Sequence, residues 1–532
     1  MTLHPAHTAT RPDIDALSAA LPGIALAAGD APEHVRLVVP TDRLVEACLA
    51  VHERLNAPLA TMVGLDDRAR FGAYWLAYVF AAGDRWVSVE TAVDPDRPSF
   101  PSVTPVLPAA HWYEREVRDL LGLTPEGHPD PRRLVLHENW PAGVYPLRKD
   151  FDPASAAAVT EPERPAFHHL HGEGIVEIPV GPIHAGVIEP GHFRFAAVGE
   201  MVLHLEARLF FTHRGVEKVA EGHSVRHGLL LAERTCGVCA CSHAVSYCQA
   251  VESIAGVTIP ARAAALRSAY LELERLYNHI GDLGNLCSGV GFAVGVSHGL
   301  QLKERLQQLN ERITGHRFLR GVCTLGGVAR DLDDAARHDI LVTLRAVEQD
   351  CRHFVELLRS TDPLQERFIN TGILPTETAR LFGAVGVAAR ASGIDRDARR
   401  DHPHAGYAGL DLPISVRTTG DVRARAQVRI NETFVSFGLV RTLLGRLPDG
   451  PLAVALPPLP PYRVGIGVTE SPRGDNVHWV RTGPDGTIDR YRIRSASFCN
   501  WPVVAMAVPG NMVPDFPLIN KSFELCYSCL DR

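Results

Sequence analysis

The chain has 532 residues, of which 46% are hydrophobic and 22% charged, and a formal net charge of −7. That length exceeds one ordinary core and implies roughly two to four domains. The mild negative charge, with no long basic stretch, excludes nucleic acid or an anionic bilayer as a direct electrostatic partner. No apolar run is long enough to span a membrane, and the opening MTLHPAHTATRPDID has no charged-then-apolar signal pattern. The expectation is a cytoplasmic chain whose membrane attachment would come through partner subunits.

Taken in chain order, residues 1–151 mix β-type runs (VRLVVP, RWVSVETAV) with a helix-like stretch (DRLVEACLAVHERL), as in an α/β domain. Residues 152–175 lack periodicity and are rich in Ala, Pro, Glu and His, a linker composition. The cluster His168, His169 and His171 falls there and reads as solvated linker, since no further ligand pattern accompanies it.

Residues 176–532 turn strongly helical. Pro260 opens a helix in which Leu266, Tyr270, Leu273, Tyr277 and Ile280 recur at helical spacing, and Gly281 is expected to end it. A second helix carries Leu302, Leu306, Leu309 and Ile313 on one stripe before Gly315. Such amphipathic helices need one another to bury their stripes, so a helix-bundle core follows. Past Leu410, ARAQVRINETFVSFGLVRTLL predicts another helix, and YRVGIGV and TIDRYRIRSAS predict strands around the turn GPDG. The fold class is α+β: an N-terminal α/β scaffold domain, then a mainly α-helical domain with a bundle core and small β elements.

Eleven cysteines in a long chain without a secretion signal argue for metal or redox use rather than a disulfide framework. Cys48, Cys248, Cys287, Cys323, Cys351 and Cys499 stand outside any motif and read as small buried packing; Cys241 is ambiguous, beside the first pair. The chemical signal is two C-x-x-C elements, Cys236-Gly-Val-Cys239 and Cys526-Tyr-Ser-Cys529. Two intervening residues let both sulfurs of a pair face one ion, so two pairs make a four-thiolate site. Structural zinc, soft-ligand nickel or iron, and dithiol redox chemistry all use such pairs. The pairs lie more than half the chain apart, unlike the compact modules of zinc ribbons. Spacing alone does not separate zinc from a catalytic metal.

The surroundings do carry a resemblance. Gly181-Pro-Ile-His184, Glu189-Pro-Gly-His192-Phe-Arg194, His213-Arg214-Gly215-Val-Glu217-Lys218, Arg234-Thr-Cys236-Gly-Val-Cys239 with His243, Arg390-Ala-Ser-Gly393, Gly420-Asp421-Val-Arg-Ala-Arg425, Glu470-Ser-Pro472-Arg473-Gly474 and Cys526-x-x-Cys529-x-x-Arg532 follow one another in order. Together they resemble the large subunit of the complex-I-related, energy-converting (group 4, formate hydrogenlyase-type) [NiFe] hydrogenases. Upstream, Glu114-Arg-Glu116-Val-Arg-Asp119, His128-Pro-Asp130-Pro-Arg132 and Pro146-Leu-Arg-Lys149-Asp150-Phe151 resemble the 30-kDa subunit of complex I, which implies a docking and scaffold role without a cofactor. The 49-kDa subunit of complex I shares the HRGxEK element but lacks the paired cysteines, and it would make this chain a metal-free quinone-module or scaffold subunit.

The hydrogenase resemblance implies a Ni–Fe centre with CO and cyanide on iron. Cys236 and Cys526 would bind nickel terminally and Cys239 and Cys529 would bridge the metals. It implies reversible heterolytic cleavage of H2, with Glu217 relaying protons from Cys526 and Arg473 a fixed positive group over the open metal position. Pro472 would shape the pocket, and His243 would donate to a bridging sulfur. Electrons would pass to a partner small subunit carrying a [4Fe–4S] cluster, in a complex with membrane subunits of the complex-I type on the inner face of the cell membrane. Glu524-Leu525 departs from the Asp-Pro that commonly precedes the last cysteine pair.

Overall fold

A computed structural model describes residue 17 and residues 21–24, 26–31, 33–153, 165–184 and 188–532. The N-terminal block is a five-stranded sheet of β1 (Leu26–Ala28), β2 (His34–Val38), β3 (Leu59–Asp67), β4 (Ala73–Ala82) and β5 (Arg85–Val93), ordered β1-β2-β5-β4-β3. Only the β2–β5 pair is parallel among the contacts in this sheet. Helix α1 (Leu44–Arg54) buries Leu44, Ala47, Cys48 and Val51 at helical spacing.

Helix α2 (His111–Leu121) carries the charged motif yet is almost wholly buried. Its charges are buried because each is matched. Glu114 accepts from the Tyr78 hydroxyl at 2.9 Å and the Val103 amide at 2.7 Å, and Asp119 accepts from the Leu134 and Val135 amides at 2.8 Å. Arg115 donates to the carbonyls of Arg132 and Arg133. Buried charge paired in this way ties the loops to the helix.

The second block opens with a three-stranded antiparallel sheet, β6 (Ile175–Val180), β7 (His192–Val198) and β8 (Met201–Arg208). The bundle follows: α3 (Ala240–Ala255), α4 (Ala261–Ser288), α5 (Ala293–Thr314), α6 (Asp334–Ser360) and α7 (Val422–Gly445). A second antiparallel sheet, β9 (Val464–Ser471), β10 (Gly474–Thr482) and β11 (Ile488–Arg494), precedes α8 (Ala496–Ala507) and the C-terminal α9 (Tyr527–Asp531).

The expected stripe on α4, Leu266 to Ile280, is fully buried, but the helix does not stop at Gly281; it runs on to Ser288. Packing explains the correction. A Cβ on Gly284 would lie 2.8 Å from the Gly299 Cα on α5, and one on Gly281 would lie 2.7 Å from the Lys303 side chain. Gly284 lets the backbones of α4 and α5 approach, Gly281 faces only the Lys303 side chain, and neither acts as a stop signal. Gly315 does end α5, in the left-handed conformation at φ +83°. The central strand β10 went unpredicted. It starts in the SPRG turn, and its buried Asn476 and His478 hide the usual apolar alternation.

The two blocks share apolar core. Tyr78, Phe80, Trp112, Tyr113 and Leu120 cluster with Phe193, Phe195, Phe498, Trp501 and Leu530. Val63, Val79 and Trp86 pack on Ile466, Val468 and Trp479. Ion pairs cross the same seam: Arg481 of β10 forms a two-pronged pair with Asp67 of β3, both bonds 2.7 Å. Part of the linker expected at 152–175, residues 154–164, lies outside the described residues. Of its histidines, His169 meets Glu177 at 2.6 Å, and no metal-ligand grouping forms there among the described residues.

Gly299→Ala should force α4 and α5 apart at a backbone contact and destabilise the chain by about 1–3 kcal/mol, as overpacking does. Thermal and urea melts measure it; a melt identical to wild type would show that the close approach is not needed.

Candidate metal centre

The first cysteine pair occupies the loop before α3, with Cys239 as that helix's N-cap. Two side chains of α4 pin the loop: the Tyr277 hydroxyl and the Asn278 amide both donate to the Val238 carbonyl, at 3.1 and 2.7 Å. Glu274, also on α4, accepts from the Cys241 and Ser242 amides and so satisfies the open N-terminus of α3. Burial outweighs those bonds and pushes the Glu274 carboxyl up to about 8. A contact with Cys323, and then burial, push the Cys241 thiol well above its usual range. Together with Cys48, Cys248, Cys287, Cys323, Cys351 and Cys499 it is a buried free thiol.

The second pair opens α9. Cys526 is the N-cap, its sulfur accepting from the Cys529 amide, while its own amide donates to the Ser497 hydroxyl at 3.0 Å. A five-residue helix is too short to stand alone. Glu189 accepts from the Ser528 amide at 2.9 Å, and Asp531 accepts from the Thr212 amide at 3.0 Å. Arg214 does the most, because its guanidinium donates to the carbonyls of Arg234, Thr235 and Ser528. One arginine thus ties the residue before Cys236 to the residue before Cys529.

The four sulfurs meet. Cys236 and Cys526 lie 3.1 Å apart and Cys239 and Cys529 3.3 Å apart, while Cys236, Cys239 and Cys529 form one cluster within 4.8 Å. These separations exceed a disulfide bond, and all four cysteines are free. Thiols packed this closely cannot all ionise. Bonds from Cys239, Cys526 and Cys529 hold the Cys236 thiol well below its usual range. Cys239 and Cys526 are pushed well up, foremost by Cys236, and Cys529 foremost by burial. A bound cation removes that conflict by deprotonating the set, so the donors fit a soft metal.

Arg473 sits in the turn between β9 and β10, beside the buried Pro472. Its two terminal nitrogens donate to Asp282 of α4, at 2.6 and 2.8 Å, and Nε donates to the Glu524 carbonyl at 2.6 Å. Arg429 of α7 shares Asp282 and donates to the carbonyls of Ser522 and Phe523. Burial raises the Asp282 carboxyl, but Arg473, His279 and Arg429 prevail and bring it down to about 2. Glu524, in the left-handed conformation at φ 53°, closes the preceding helix; burial, then Asp282, pushes its carboxyl up to about 7. The Glu524-Leu525 departure therefore keeps a carboxyl beside Arg473, 3.9 Å from its Nη2.

His243 reaches the tetrad, with Nε2 3.6 Å from the Cys529 sulfur; burial pushes its pKa down to about 4. Glu217 lies in an arginine cage. It accepts from Arg532 at 2.9 Å, Arg490 at 3.0 Å, Arg492 at 3.3 Å and the Ile493 amide at 3.0 Å. Burial opposes ionisation, yet Arg492, Arg532 and Arg490 hold the carboxyl well below its usual range. Glu116 of α2 shares two of these arginines, pairing with Arg492 at 2.5 Å and with Arg532. No hydrogen bond joins Glu217 to Cys526 among the described residues.

Asp282 and Arg429 were not picked out in the sequence, and Arg214 and Glu189 stood there as motif residues with no role of their own. One signal was available for Asp282. Arg267, Glu272, Arg275, His279 and Asp282 interrupt every face of α4, and such a helix, if central to a bundle, must bury paired charge.

Comparison with known proteins shows the family. Residues 289–463 and 457–532 match the respiratory-chain NADH dehydrogenase 49 Kd subunit, residues 37–157 its 30 Kd subunit, and residues 214–287 the nickel-dependent hydrogenases. Formate hydrogenlyase subunit 5 of Escherichia coli is 38% identical, over 97% of this chain and 92% of the relative. Hydrogenase-4 component G of the same organism is 37% identical, over 94% and 88%. Among solved structures, a chain of the membrane-bound sulfane sulfur reductase, an archaeal respiratory membrane complex, aligns with a TM-score of 0.64 at 26% identity, covering 68% of this chain and all of that one. The nickel-dependent hydrogenase segment contains the first cysteine pair and the R-G-x-E element, which leaves the complex I reading the weaker one. The chain belongs to the catalytic large subunits of the complex-I-related, energy-converting [NiFe] hydrogenases and is a hydrogenase oxidoreductase with a Ni–Fe centre.

Proposed function

We propose that Cys236, Cys239, Cys526 and Cys529 hold the Ni–Fe centre, with Cys236 and Cys526 terminal on nickel, Cys239 and Cys529 shared with iron, and CO and cyanide completing the iron. The observation that carries this reading is the convergence of four sulfurs from segments 290 residues apart, tied together by Arg214. When bound, the group supplies the redox chemistry of reversible heterolytic H2 cleavage.

The residues around it bind, orient and carry protons. The Cys526 sulfur, in the least buried of the four cysteines, takes the proton released on cleavage. Arg473 keeps a fixed positive charge near the Cys239 and Cys526 sulfurs, because its bidentate bond to Asp282 leaves it no freedom to turn away. Pro472 stiffens the turn that presents it. Glu217 enters in a different state from the one its motif suggests. Clamped by three guanidiniums, it takes up a proton only as those contacts loosen, and otherwise it anchors the C-terminal turn through Arg532.

No helix of the described residues is long and apolar enough to cross a membrane. The proposal therefore includes membrane subunits of the complex-I type, with this chain peripheral on the inner face of the cell membrane. It also includes a small subunit with a [4Fe–4S] cluster, since the remaining buried cysteines form no second ligand group among the described residues. The match of the whole chain to components of formate hydrogenlyase and hydrogenase-4 supports both.

Purified complex should contain nickel and iron and show the infrared bands of CO and cyanide, and Cys526→Ser should lose nickel. Zinc alone, or unchanged nickel in that variant, would refute the assignment. Glu217→Gln should retain nickel while turnover per bound nickel falls about 100-fold or more, the scale of general acid–base catalysis. Wild-type turnover per nickel would leave Glu217 an anchor and nothing else.

A further inference from the structure

A buried chain of three side chains leads away from the Cys529 sulfur. His243 Nε2 lies 3.6 Å from that sulfur, His243 Nδ1 lies 2.8 Å from His478 Nε2, and His478 Nδ1 lies 2.7 Å from the Tyr491 hydroxyl. The three come from α3, β10 and β11. His478 faces Ile493 across the sheet, and Tyr491 is two residues from Ile493, so both side chains share one face. His243, His478 and Tyr491 are all 0% exposed. Only His243 was picked out from the sequence.

The direction of every proton in this chain follows from its far end. The Tyr491 hydroxyl has no other acceptor among the described residues, and an unpaired buried hydroxyl proton costs about 1–3 kcal/mol. It therefore donates to His478 Nδ1. Neither imidazole is hydrogen-bonded to a carboxylate, and full burial favours the neutral form of both. A neutral imidazole carries one proton. That of His478 must then be on Nε2, donated to His243 Nδ1. The proton of His243 is left on Nε2, facing the Cys529 sulfur.

We propose that Tyr491 and His478 are positioning residues that lock His243 as a permanent N–H donor to the Cys529 sulfur and so lower the electron density of the metal centre. The inference rests on the Ni–Fe reading above. A hydrogen bond to a ligating sulfur withdraws charge from the metal it serves, and outer partners of a ligand set its orientation and donor strength. Each donor in such a chain also polarises the next, so the tyrosine is felt at the sulfur without touching it.

The test is infrared spectroscopy of the CO and cyanide bands in the purified holoenzyme, with nickel content as control and a redox titration alongside. Tyr491→Phe, which removes one oxygen atom, should move the bands to lower frequency and make the midpoint potential more negative at unchanged nickel content. His478→Phe should move them further, and His478→Gln, which can still donate, should return them toward wild type. In a His243→Phe background, Tyr491→Phe should add no shift, because coupled residues are not additive. Bands that stay in place in Tyr491→Phe, or that move equally with and without His243, overturn the relay. If His478→Phe fails to assemble, the Tyr491→Phe comparison alone still decides. Wild-type protein without such bands removes the Ni–Fe reading, and the relay with it; bands present but indifferent to Tyr491 remove the relay alone.

Discussion

A five-residue helix presents two of the four clustered cysteines proposed as metal ligands, and the rest of the site depends on how that helix is held. It has too few internal hydrogen bonds to be stable by itself. Its position is imposed by guanidiniums that reach carbonyl groups around it: Arg214 to Ser528, Arg429 to Ser522 and Phe523, and Arg473 to Glu524. Arginine suits the task because its planar fork grips several acceptors at once and its charge survives burial. Arg429 and Arg473 bring their charges into the interior, whereas Arg214 works from the surface. Arg429 and Arg473 share Asp282 as counter-ion, and Arg532 is matched by Glu217 and Glu116. Removing one partner from such a set leaves an uncompensated buried charge, which typically costs about 3–5 kcal/mol.

The same constraint explains why the N-terminal domain is packed so closely on the catalytic one. Glu116 comes from α2, in the block that resembles a separate subunit of complex I, yet its carboxylate meets the last residue of the chain. Around it the two blocks share aromatic and aliphatic core, and Arg481, Arg490 and Arg494 reach across to Asp67, Gly64 and Ala60. A scaffold domain that supplies a counter-ion to the C-terminal turn is a structural support of the cysteine cluster.

Two kinds of group surround the sulfurs. Arg473 is fixed and cationic, locked by Asp282, while His243 is neutral and touches the Cys529 sulfur. Glu217 belongs to neither kind, since it is ionised and caged. The fixed charge balances the anionic donors, the neutral ring adjusts one of them, and the caged carboxylate holds the chain terminus without adding free negative charge.

Much of this was legible in the residues themselves. Cys236, Cys239, Cys526 and Cys529 follow from a local rule, two residues between paired sulfurs, and helical periodicity exposed α4, α5 and α7. Gly281 shows where local rules fail: a glycine reads as a stop, whereas the helix runs through it to Gly284, whose role only the facing Gly299 of the next helix reveals. Strand β10 was hidden because buried polar residues, Asn476 and His478, alternate with its apolar ones, and their partners, such as Tyr491 for His478, lie on another strand. By itself the sequence determined which atoms could bind metal and which elements would carry them, because both depend on neighbours in the chain. Tertiary structure alone decided that Asp282 holds Arg473, that Arg214 joins the two cysteine loops and that Glu217 is caged. Each of these is a contact between distant segments, and for Asp282 and Glu217 the low dielectric of the interior, which makes an unmatched charge costly, is what selects it.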